Sequence, residues 1–198
     1  MSGILGGPNS EMSGVRCYNA QCNIQNLIKQ LKVMSGKKVI NCNKCSVIRN
    51  EYHNFLSPKM KILGTKGFSK EILETEINKY ISTRKELCKS CCNYMEIMHE
   101  VEPHVFIEVD LLGYYGNANS KISFIPTTIM INKKQFNLLG IINFIGNIIL
   151  EVDQTLGHYT AYIKRSNKWE LHDDLKKRTL SVAPQEIINP HILIYVEK

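Results

Sequence analysis

Two Cys-x-x-Cys pairs are the feature of this sequence that most constrains its fold. The segment CNKC holds Cys42 and Cys45, and the segment CKSC holds Cys88 and Cys91. This spacing lets two thiolates bind one tetrahedral metal ion from a single tight turn. The sequence therefore predicts one four-cysteine zinc site that joins two turns far apart in the chain. Such a site is structural, because four thiolates leave no coordination position open for water.

The other three of the seven cysteines, Cys17, Cys22 and Cys92, need separate explanations. An odd count does not fit a set of disulfides, and the N-terminal segment lacks the charged start and long apolar core of a secretory signal. We therefore expect a reduced protein of the cytoplasm or nucleus. In such a protein, unligated packing of the paired cysteines is the disfavoured alternative to metal binding. Cys92 is either a spare ligand or, as we prefer, a buried thiol.

Composition and charge favour one folded domain without identifying its partner. Hydrophobic residues make up 43% of the 198 residues, which is enough for one core, and residues 1–13 read as a flexible lead. The formal net charge of +7 is spread through both halves and suits an acidic protein or nucleic acid equally. The most apolar stretch, residues 138–152, is interrupted by glycine and asparagine and is shorter than the roughly 20 residues of a spanning helix. We therefore expect buried strands there and no membrane partner.

Apolar periodicity predicts two helices in the first half of the chain. The first begins near Cys22, and the second covers residues 70–81 with Ser69 as its N-cap. A thiol in the first turn of a helix meets its positive end, which lowers the pKa of the thiol. Cys22 is therefore a better candidate nucleophile than Cys17. The apolar faces consist of Ile24, Leu27, Ile28 and Leu31 in the first helix and Ile72, Leu73, Ile77 and Ile81 in the second.

From Pro103 onward the pattern becomes rich in β-strands. The segment HVFIEVDLL alternates apolar and acidic residues, as a half-buried strand does. Further strands are predicted at residues 121–131, 135–142, 148–152, 158–164, 168–173 and 192–196. The order of elements favours an α+β domain in which helices come first, the sheet comes last, and a zinc module is inserted between them.

One histidine and two aspartates near the C-terminus are candidates for acid–base chemistry. His158 begins the alternating segment HYTAYIK, and Asp173 and Asp174 end the segment WELHDD. Alternation along a strand places Trp169 and Asp173 on one face and Asp174 on the other. We therefore expect Asp173, and not Asp174, to reach His158. Taken singly, each of these residues has an ordinary structural interpretation.

Together, these segments resemble the ubiquitin-specific protease family. GVRCYNAQCNIQNLIKQL is similar, without a gap, to the box that carries the family's nucleophile, and GHYTAYIKRSNKWELHDD is similar to the box that carries its histidine and aspartate. Family members also carry two Cys-x-x-Cys pairs around a helix, and the closing HILIYVEK resembles the end of the family domain. The matching residues are Gly14, Val15, Cys22, Ile24, Ile28 and Leu31 in the first box and Gly157, His158, Tyr159, Ala161, Tyr162, Trp169, Asp173 and Asp174 in the second.

The resemblance implies a papain-like cysteine protease fold of α+β class, with a single catalytic domain at residues 14–198. The implied regions are a nucleophile helix with a reduced thumb at 14–36, zinc-bearing fingers at 37–102, and an antiparallel β palm with the His/Asp box at 103–198. In the implied triad, Cys22 attacks an isopeptide carbonyl and His158 transfers the proton. Asp173 orients the imidazole.

One position departs from the family's pattern. The family places an asparagine, which donates to the oxyanion, five residues before the nucleophile. Cys17 stands there in this chain, and a thiol is a weak donor. Gln21 and Asn19 are the candidates for the missing side-chain donor, alongside the backbone N–H of Cys22.

The resemblance implies a thiol isopeptidase that acts on ubiquitin and holds zinc as a structural cofactor. A SUMO deconjugase of the same superfamily is the first alternative, because that branch also has a poorly conforming nucleophile box and a W-x-x-x-D-D-L ending. An inactive module that binds a ubiquitin-like protein is the second, since Cys17 stands at the oxyanion position. A zinc-dependent nucleic-acid binder is disfavoured, because the sequence lacks a basic helix and a row of stacking aromatic residues.

Overall fold

Antiparallel strands account for most of the computed structural model, which describes residues 8–12, 15–18, 30–58, 67–109, 119–146 and 157–198. The chain divides into two units, Met1–Val33 and Met34–Lys198. In the first unit, strand β1 (Pro8–Met12) pairs with strand β2 (Val15–Tyr18). Strand β1 lies within residues 1–13, and the flexible character of this lead stays a prediction. The single domain over residues 14–198 stays a prediction.

A four-stranded antiparallel sheet begins the second unit. Its strands are β3 (Gly36–Cys42), β4 (Val47–His53), β5 (Arg84–Leu87) and β6 (Tyr94–Val101). They lie in the order β4, β3, β6, β5, so that two hairpins join edge to edge through β3 and β6. The turn of each hairpin carries one Cys-x-x-Cys pair. The sheet therefore brings both pairs to the same end.

The helix α1 (Lys70–Ile81) lies between the two hairpins in the chain. The predicted N-cap is confirmed, because Ser69 Oγ accepts a hydrogen bond of 3.2 Å from the backbone N–H of Ile72. Such a cap contributes about 1 kcal/mol to helix stability. The predicted apolar face is also confirmed, and its buried residues are Leu73, Ile77 and Ile81.

A seven-stranded antiparallel sheet forms the last part of the second unit, beside a short pair of strands. The strands of the chain's second half are β7 (His104–Glu108), β8 (Ser120–Lys121), β9 (Thr128–Ile131), β10 (Lys134–Gly146), β11 (Gly157–Arg165), β12 (Lys168–His172), β13 (Leu180–Val182), β14 (Ile187–Ile188) and β15 (Pro190–Glu197). The large sheet runs in the order β13, β12, β11, β10, β15, β7, with β9 paired to β10, while β8 pairs with β14. Strands are thus confirmed at residues 135–142, 158–164 and 192–196.

Of the three remaining strand predictions after residue 120, one is wrong, one is a residue too long and one is not tested. Residues 121–131 do not form one strand, because the chain leaves β8 for a 3-10 turn at Ile122–Phe124 before it enters β9. Pro126 lies in this segment, and proline lacks the N–H that a strand ladder uses. The strand predicted at residues 168–173 ends at His172. The strand predicted at residues 148–152 lies outside the described residues.

The buried core packs α1 against the large sheet. Its largest fully buried side chains include Tyr195, Phe136, Leu73 and Ile77. Burying a side chain of this size contributes about 1.5 to 3 kcal/mol. The Tyr195 hydroxyl donates a hydrogen bond of 2.7 Å to the carbonyl of Pro126, so its polar end is satisfied. Within the described ranges, no helix has the length and apolarity needed to cross a membrane.

Two polar side chains of α1 occupy the edge of β9 that faces away from β10. Glu74 Oε1 accepts a hydrogen bond of 2.7 Å from the backbone N–H of Met130. Asn78 Oδ1 accepts one of 3.0 Å from the N–H of Asn132, and Asn78 Nδ2 donates one of 2.9 Å to the carbonyl of Met130. The side chains of α1 thus take the place of a neighbouring strand.

Two stacked histidines lie at the end of the four-stranded sheet that is remote from the cysteines. The rings of His53 and His99 are 5.3 Å apart at 16°, and the ring of Tyr80 on α1 is 5.5 Å from that of His99. His99 is 8% exposed, and within the described part of the chain neither of its ring nitrogens has a hydrogen-bond partner. Burial, followed by the charges of His53, Arg84 and Lys38, lowers the pKa of His99 to about 4. Burial likewise lowers the pKa of His53.

The stacked pair predicts a loss of stability below neutral pH. In the unfolded chain His99 takes up a proton near its ordinary pKa of about 6.5, whereas in the folded chain it stays neutral down to about 4. The unfolded state therefore binds more protons in this range, and His99 should lower the free energy of unfolding by about 2 kcal/mol between pH 7 and pH 5. Urea unfolding of the wild type and of His99→Phe at both pH values measures this, because the variant keeps an aromatic stack and removes the titration. An equal decrease in both proteins would contradict the prediction.

Candidate functional site

The four predicted metal-binding cysteines converge at the turns of the two hairpins. Cys42 ends β3, Cys45 lies in the following turn, and Cys88 and Cys91 lie in the turn between β5 and β6. The sulfur atoms all lie within 4.8 Å of one another, with separations of 3.6 Å for Cys42–Cys91 and 3.9 Å for Cys45–Cys88. A tetrahedral zinc ion with Zn–S bonds of about 2.3 Å requires sulfur separations of about 3.8 Å. The predicted clustering is confirmed, and its geometry fits a zinc ion.

Backbone amides in the second cysteine turn favour thiolates. Hydrogen bonds from the backbone of Ser90 and Cys91 lower the pKa of Cys88 to about 6. A backbone hydrogen bond at Asn93 lowers the pKa of Cys91. Hydrogen bonding with Cys91 raises the pKa of Cys45 to about 12, because it favours the protonated thiol of Cys45. The turn is thus built to present negatively charged sulfur, which is the form that binds metal.

Cys92 lies outside this cluster and is exposed. Our preference for a buried thiol is therefore wrong. Cys92 has a positive φ of 56°, and its backbone N–H donates a hydrogen bond of 2.9 Å to the carbonyl of Cys88. The backbone of Cys92 closes the turn, and its side chain is left on the outside.

The second candidate site pairs His158 with Asp173. His158 is the second residue of β11, and Asp173 follows the last residue of β12, its antiparallel neighbour. His158 Nε2 and Asp173 Oδ1 are 2.9 Å apart, and the two side chains are 29% and 9% exposed. The pair is therefore a short, partly buried hydrogen bond at one end of the large sheet.

Several donors converge on the carboxylate of Asp173. Its Oδ1 accepts a hydrogen bond of 3.1 Å from the backbone N–H of Leu175, and its Oδ2 is 3.5 Å from Lys176 Nζ. The hydrogen bond with His158 is the largest cause that lowers the pKa of Asp173, and these two neighbours act in the same direction against burial. Asp173 therefore stays a carboxylate and holds His158 through Nε2. The other ring nitrogen, Nδ1, is the one that can serve a nucleophile.

Asp174 also reaches the histidine, contrary to the expectation from strand alternation. Its Oδ1 is 3.5 Å from His158 Nε2, and its side chain is 82% exposed. Strand β12 ends at His172, so the alternation of side chains stops before the two aspartates and both carboxylates can turn toward His158. The shorter distance and deeper burial still distinguish Asp173.

Sequence reasoning did not identify a group of buried polar residues near His158. Asn143, Thr160, Asn189 and His191 are each between 3% and 8% exposed. His191 Nδ1 is 3.0 Å from the hydroxyl of Tyr159, the residue next to His158. The one signal in the sequence was Asn143, a polar residue within the apolar stretch at residues 138–152. The sequence alone shows it only as a break in the apolar pattern.

The proposed nucleophile and its helpers are not placed by the structure. Cys22, Gln21 and Asn19 lie outside the described residues, and so does the start of the helix predicted at Cys22. The backbone of Cys17 lies in β2. The catalytic assignment of Cys22, His158 and Asp173 therefore stays a prediction, as do the oxyanion candidates.

The fold of the described residues is similar to that of solved DUB module structures. No family model matches the chain, and the comparison with curated proteins finds no match. Among solved structures, the SAGA Ubp8/Sgf11/Sus1/Sgf73 DUB module matches 84% of this chain and 38% of its own with a TM-score of 0.51 and 16% identity.

Two further structures of this module give the same result. The Ubp8-Sgf11-Sgf73-Sus1 SAGA DUB module matches with a TM-score of 0.51 and 17% identity over 83% of this chain and 39% of that one. The yeast SAGA DUB module with a mutated Sgf73 matches with a TM-score of 0.50 and 15% identity over 83% and 40%. The chain thus spans about two fifths of the length of the chains it matches. At these identities the similarity shows the fold alone.

Proposed function

We propose that this chain is a thiol-dependent deubiquitinase that hydrolyses isopeptide bonds at the C-terminal glycine of ubiquitin. The observation that carries the proposal is the 2.9 Å hydrogen bond between His158 Nε2 and Asp173 Oδ1, which leaves Nδ1 for a nucleophile. The similarity in fold to a chain of a DUB module supports it. So does the sequence around Cys22, which resembles the nucleophile box of the ubiquitin-specific proteases.

The proposed chemistry is acyl transfer in two steps. His158 accepts the proton of Cys22, and the thiolate attacks the carbonyl of the terminal glycine of ubiquitin. The C–N bond then breaks as His158 protonates the leaving lysine amine, which gives a thioester. Water, deprotonated by His158, hydrolyses the thioester and restores the thiol. Asp173 keeps the imidazole in the tautomer and orientation that both steps need.

Stabilisation of the oxyanion is the weakest part of the proposed site. We propose that the backbone N–H of Cys22 is one donor and that Gln21 or Asn19 supplies the second, because Cys17 replaces the usual asparagine. Loss of one such donor lowers kcat by about 10² to 10³. A slow enzyme is therefore compatible with the proposal.

The proposed zinc ion has a structural role. It would be held by Cys42, Cys45, Cys88 and Cys91, which are thiol donors of the kind that zinc prefers. It would join the turns of the two hairpins and supply no step of the reaction. Because such a site needs reduced thiols, we place the protein in the cytoplasm or nucleus.

Electrophilic ubiquitin and SUMO probes test the proposed function. We expect the ubiquitin probe to form a covalent adduct with the wild type, mass spectrometry to locate it at Cys22, and Cys22→Ala to form none. An adduct with the SUMO probe alone would replace the proposal by SUMO deconjugation. Binding of ubiquitin without any adduct would identify an inactive binding module and overturn the proposed activity.

A further inference from the structure

Two buried polar side chains, Asn143 and Thr160, lie next to His158 within the large sheet. We call this pair the polar bridge. Thr160 is two residues from His158 on β11 and therefore points to the same face of the sheet. On β10, Asn143 lies opposite Thr160, and Ile145 lies opposite His158. The next residue of β11 on this face is the buried Tyr162, so the polar bridge separates the apolar core from His158.

The polar bridge connects three segments of the chain. Asn143 Nδ2 donates a hydrogen bond of 3.1 Å to Thr160 Oγ1, and Asn143 Oδ1 accepts one of 2.6 Å from the backbone N–H of Asn189. The backbone N–H of Phe144 donates one of 3.0 Å to the carbonyl of Asn189. The pairing of β10 with β15 shifts register at Asn143, which is opposite Pro190 while its neighbour Ile142 is opposite Ile192. Asn143 therefore ties β11 to the start of β15 where the regular ladder is interrupted.

Stability does not account for the hydrogen bond between Asn143 and Thr160. Asn143 and Thr160 are each 3% exposed, and burying polar groups carries a cost that their hydrogen bonds only offset. Replacing both partners of a buried hydrogen bond by apolar groups of the same shape can be nearly neutral for stability, so the bond between Asn143 and Thr160 is not required for folding, whereas the bond from Asn143 to the N–H of Asn189 satisfies a buried donor. The bridge adds geometric specificity. Hydrogen bonds allow one relative placement of the strands, whereas apolar packing tolerates several. Register shifts of this kind are common beside active sites, where they orient side chains.

We propose that Asn143 and Thr160 are positioning residues for His158. The bridge holds the first residues of β11 at a fixed distance from β10 and from the start of β15. This placement sets the Nε2 of His158 at 2.9 Å from Asp173 and leaves Nδ1 to serve a nucleophile. The expected change in kcat rests on the proposed function. The expected effect on the protonation and placement of the imidazole rests on the geometry alone.

The kinetic test compares Thr160→Val with Thr160→Ser in cleavage of a ubiquitin–fluorophore substrate. Valine keeps the shape of threonine and removes the hydroxyl, whereas serine keeps the hydroxyl. We expect Thr160→Val to lower kcat about tenfold with KM unchanged within twofold, because a misplaced general base slows chemistry rather than binding. Thr160→Ser should stay within twofold of the wild type. An unchanged kcat in Thr160→Val, or a change in KM alone, would overturn the proposal.

The same strand provides a matched control. Asn137 of β10 and Thr128 of β9 also face each other across the sheet, with Thr128 Oγ1 and Asn137 Oδ1 3.4 Å apart in an exposed setting. Thr128→Val should leave kcat unchanged. A fall in kcat of the same size in this variant would mean that any loss of a threonine hydroxyl in the sheet is harmful, and would overturn a specific role for Thr160. If Thr160→Val does not fold, Asn143→Ser, whose side chain is too short to span the gap, takes its place.

A second measurement does not depend on ubiquitin. Nitrogen NMR of the imidazoles, with the His158 signal assigned from a His158→Gln variant, reports which ring nitrogen carries the proton. We expect a protected Nε2–H bonded to Asp173 in the wild type and in Thr160→Ser, and its loss or exchange broadening in Thr160→Val. An identical signal in all three proteins would overturn the positioning role. If the wild type cleaves no ubiquitin substrate but the signal changes as expected, the proposed function fails and the positioning role stands.

Discussion

Replacing Asp173 by alanine is expected to lower kcat/KM for a ubiquitin substrate by about 10³-fold or more. Without the carboxylate, His158 loses the 2.9 Å hydrogen bond that selects its tautomer and orientation. The carboxylate also stabilises the imidazolium that forms when the thiol is deprotonated. Steady-state kinetics on the purified variant, with circular dichroism to show that it is folded, measures the effect.

Asp174→Ala is the matched control for this prediction. Its carboxylate is 3.5 Å from the same Nε2 but is 82% exposed, so solvent screens it. We expect a decrease of less than tenfold. A larger loss in Asp174→Ala than in Asp173→Ala would assign the orienting role to the exposed aspartate. An unimpaired Asp173→Ala would remove the third member of the proposed triad.

Replacing Cys91 by serine is expected to abolish zinc binding and to lower the free energy of unfolding by about 5 kcal/mol or more. Four thiolates, with sulfur separations of 3.6 Å and 3.9 Å, need a cation to offset their repulsion. Because zinc would bind only the folded chain, its binding free energy adds to the free energy of unfolding. Elemental analysis should find one zinc ion per wild-type chain and none in the variant. Urea unfolding measures the loss of stability.

Cys92 provides the control at the next position in the chain. It is exposed and lies outside the four-cysteine cluster, so Cys92→Ser should keep the zinc ion and change the free energy of unfolding by less than about 0.5 kcal/mol. Equal losses in Cys91→Ser and Cys92→Ser would mean that the cluster is not the ligand set. A wild type without zinc after expression in zinc-supplemented medium would remove the metal altogether.

The parts of the fold and site that the sequence predicts are those encoded over short distances. The Cys-x-x-Cys spacing is a local turn signal, and both pairs do meet in space. The helix at residues 70–81 has its cap and apolar face within its own segment, and both are confirmed. His158 and Asp173 lie at the same end of two neighbouring antiparallel strands. Alternation along β12 therefore predicts the aspartate that lies closer to His158.

The features that the sequence does not predict depend on register and on where strands end. Asn143 meets Thr160 only because β10 and β11 pair in one register, and it meets Asn189 only because the pairing with β15 shifts there. Asp174 turns toward His158 because β12 stops at His172, a boundary that alternation does not reveal. Cys92 is exposed because its backbone adopts a positive φ to close a turn. Each outcome is decided by contacts between segments.

The side chains of α1 on the edge of β9 also determine which backbone groups of this edge are open to another chain. An unpaired strand edge is a template for pairing with another chain and can seed aggregation. Glu74 and Asn78 already occupy the backbone groups of residues 130 and 132 on this edge. Both side chains belong to a helix whose buried face is anchored in the core, so the edge is covered for as long as α1 stays docked. Local detachment of α1, without global unfolding, would therefore expose the backbone groups of residues 130 and 132 to pairing with another chain.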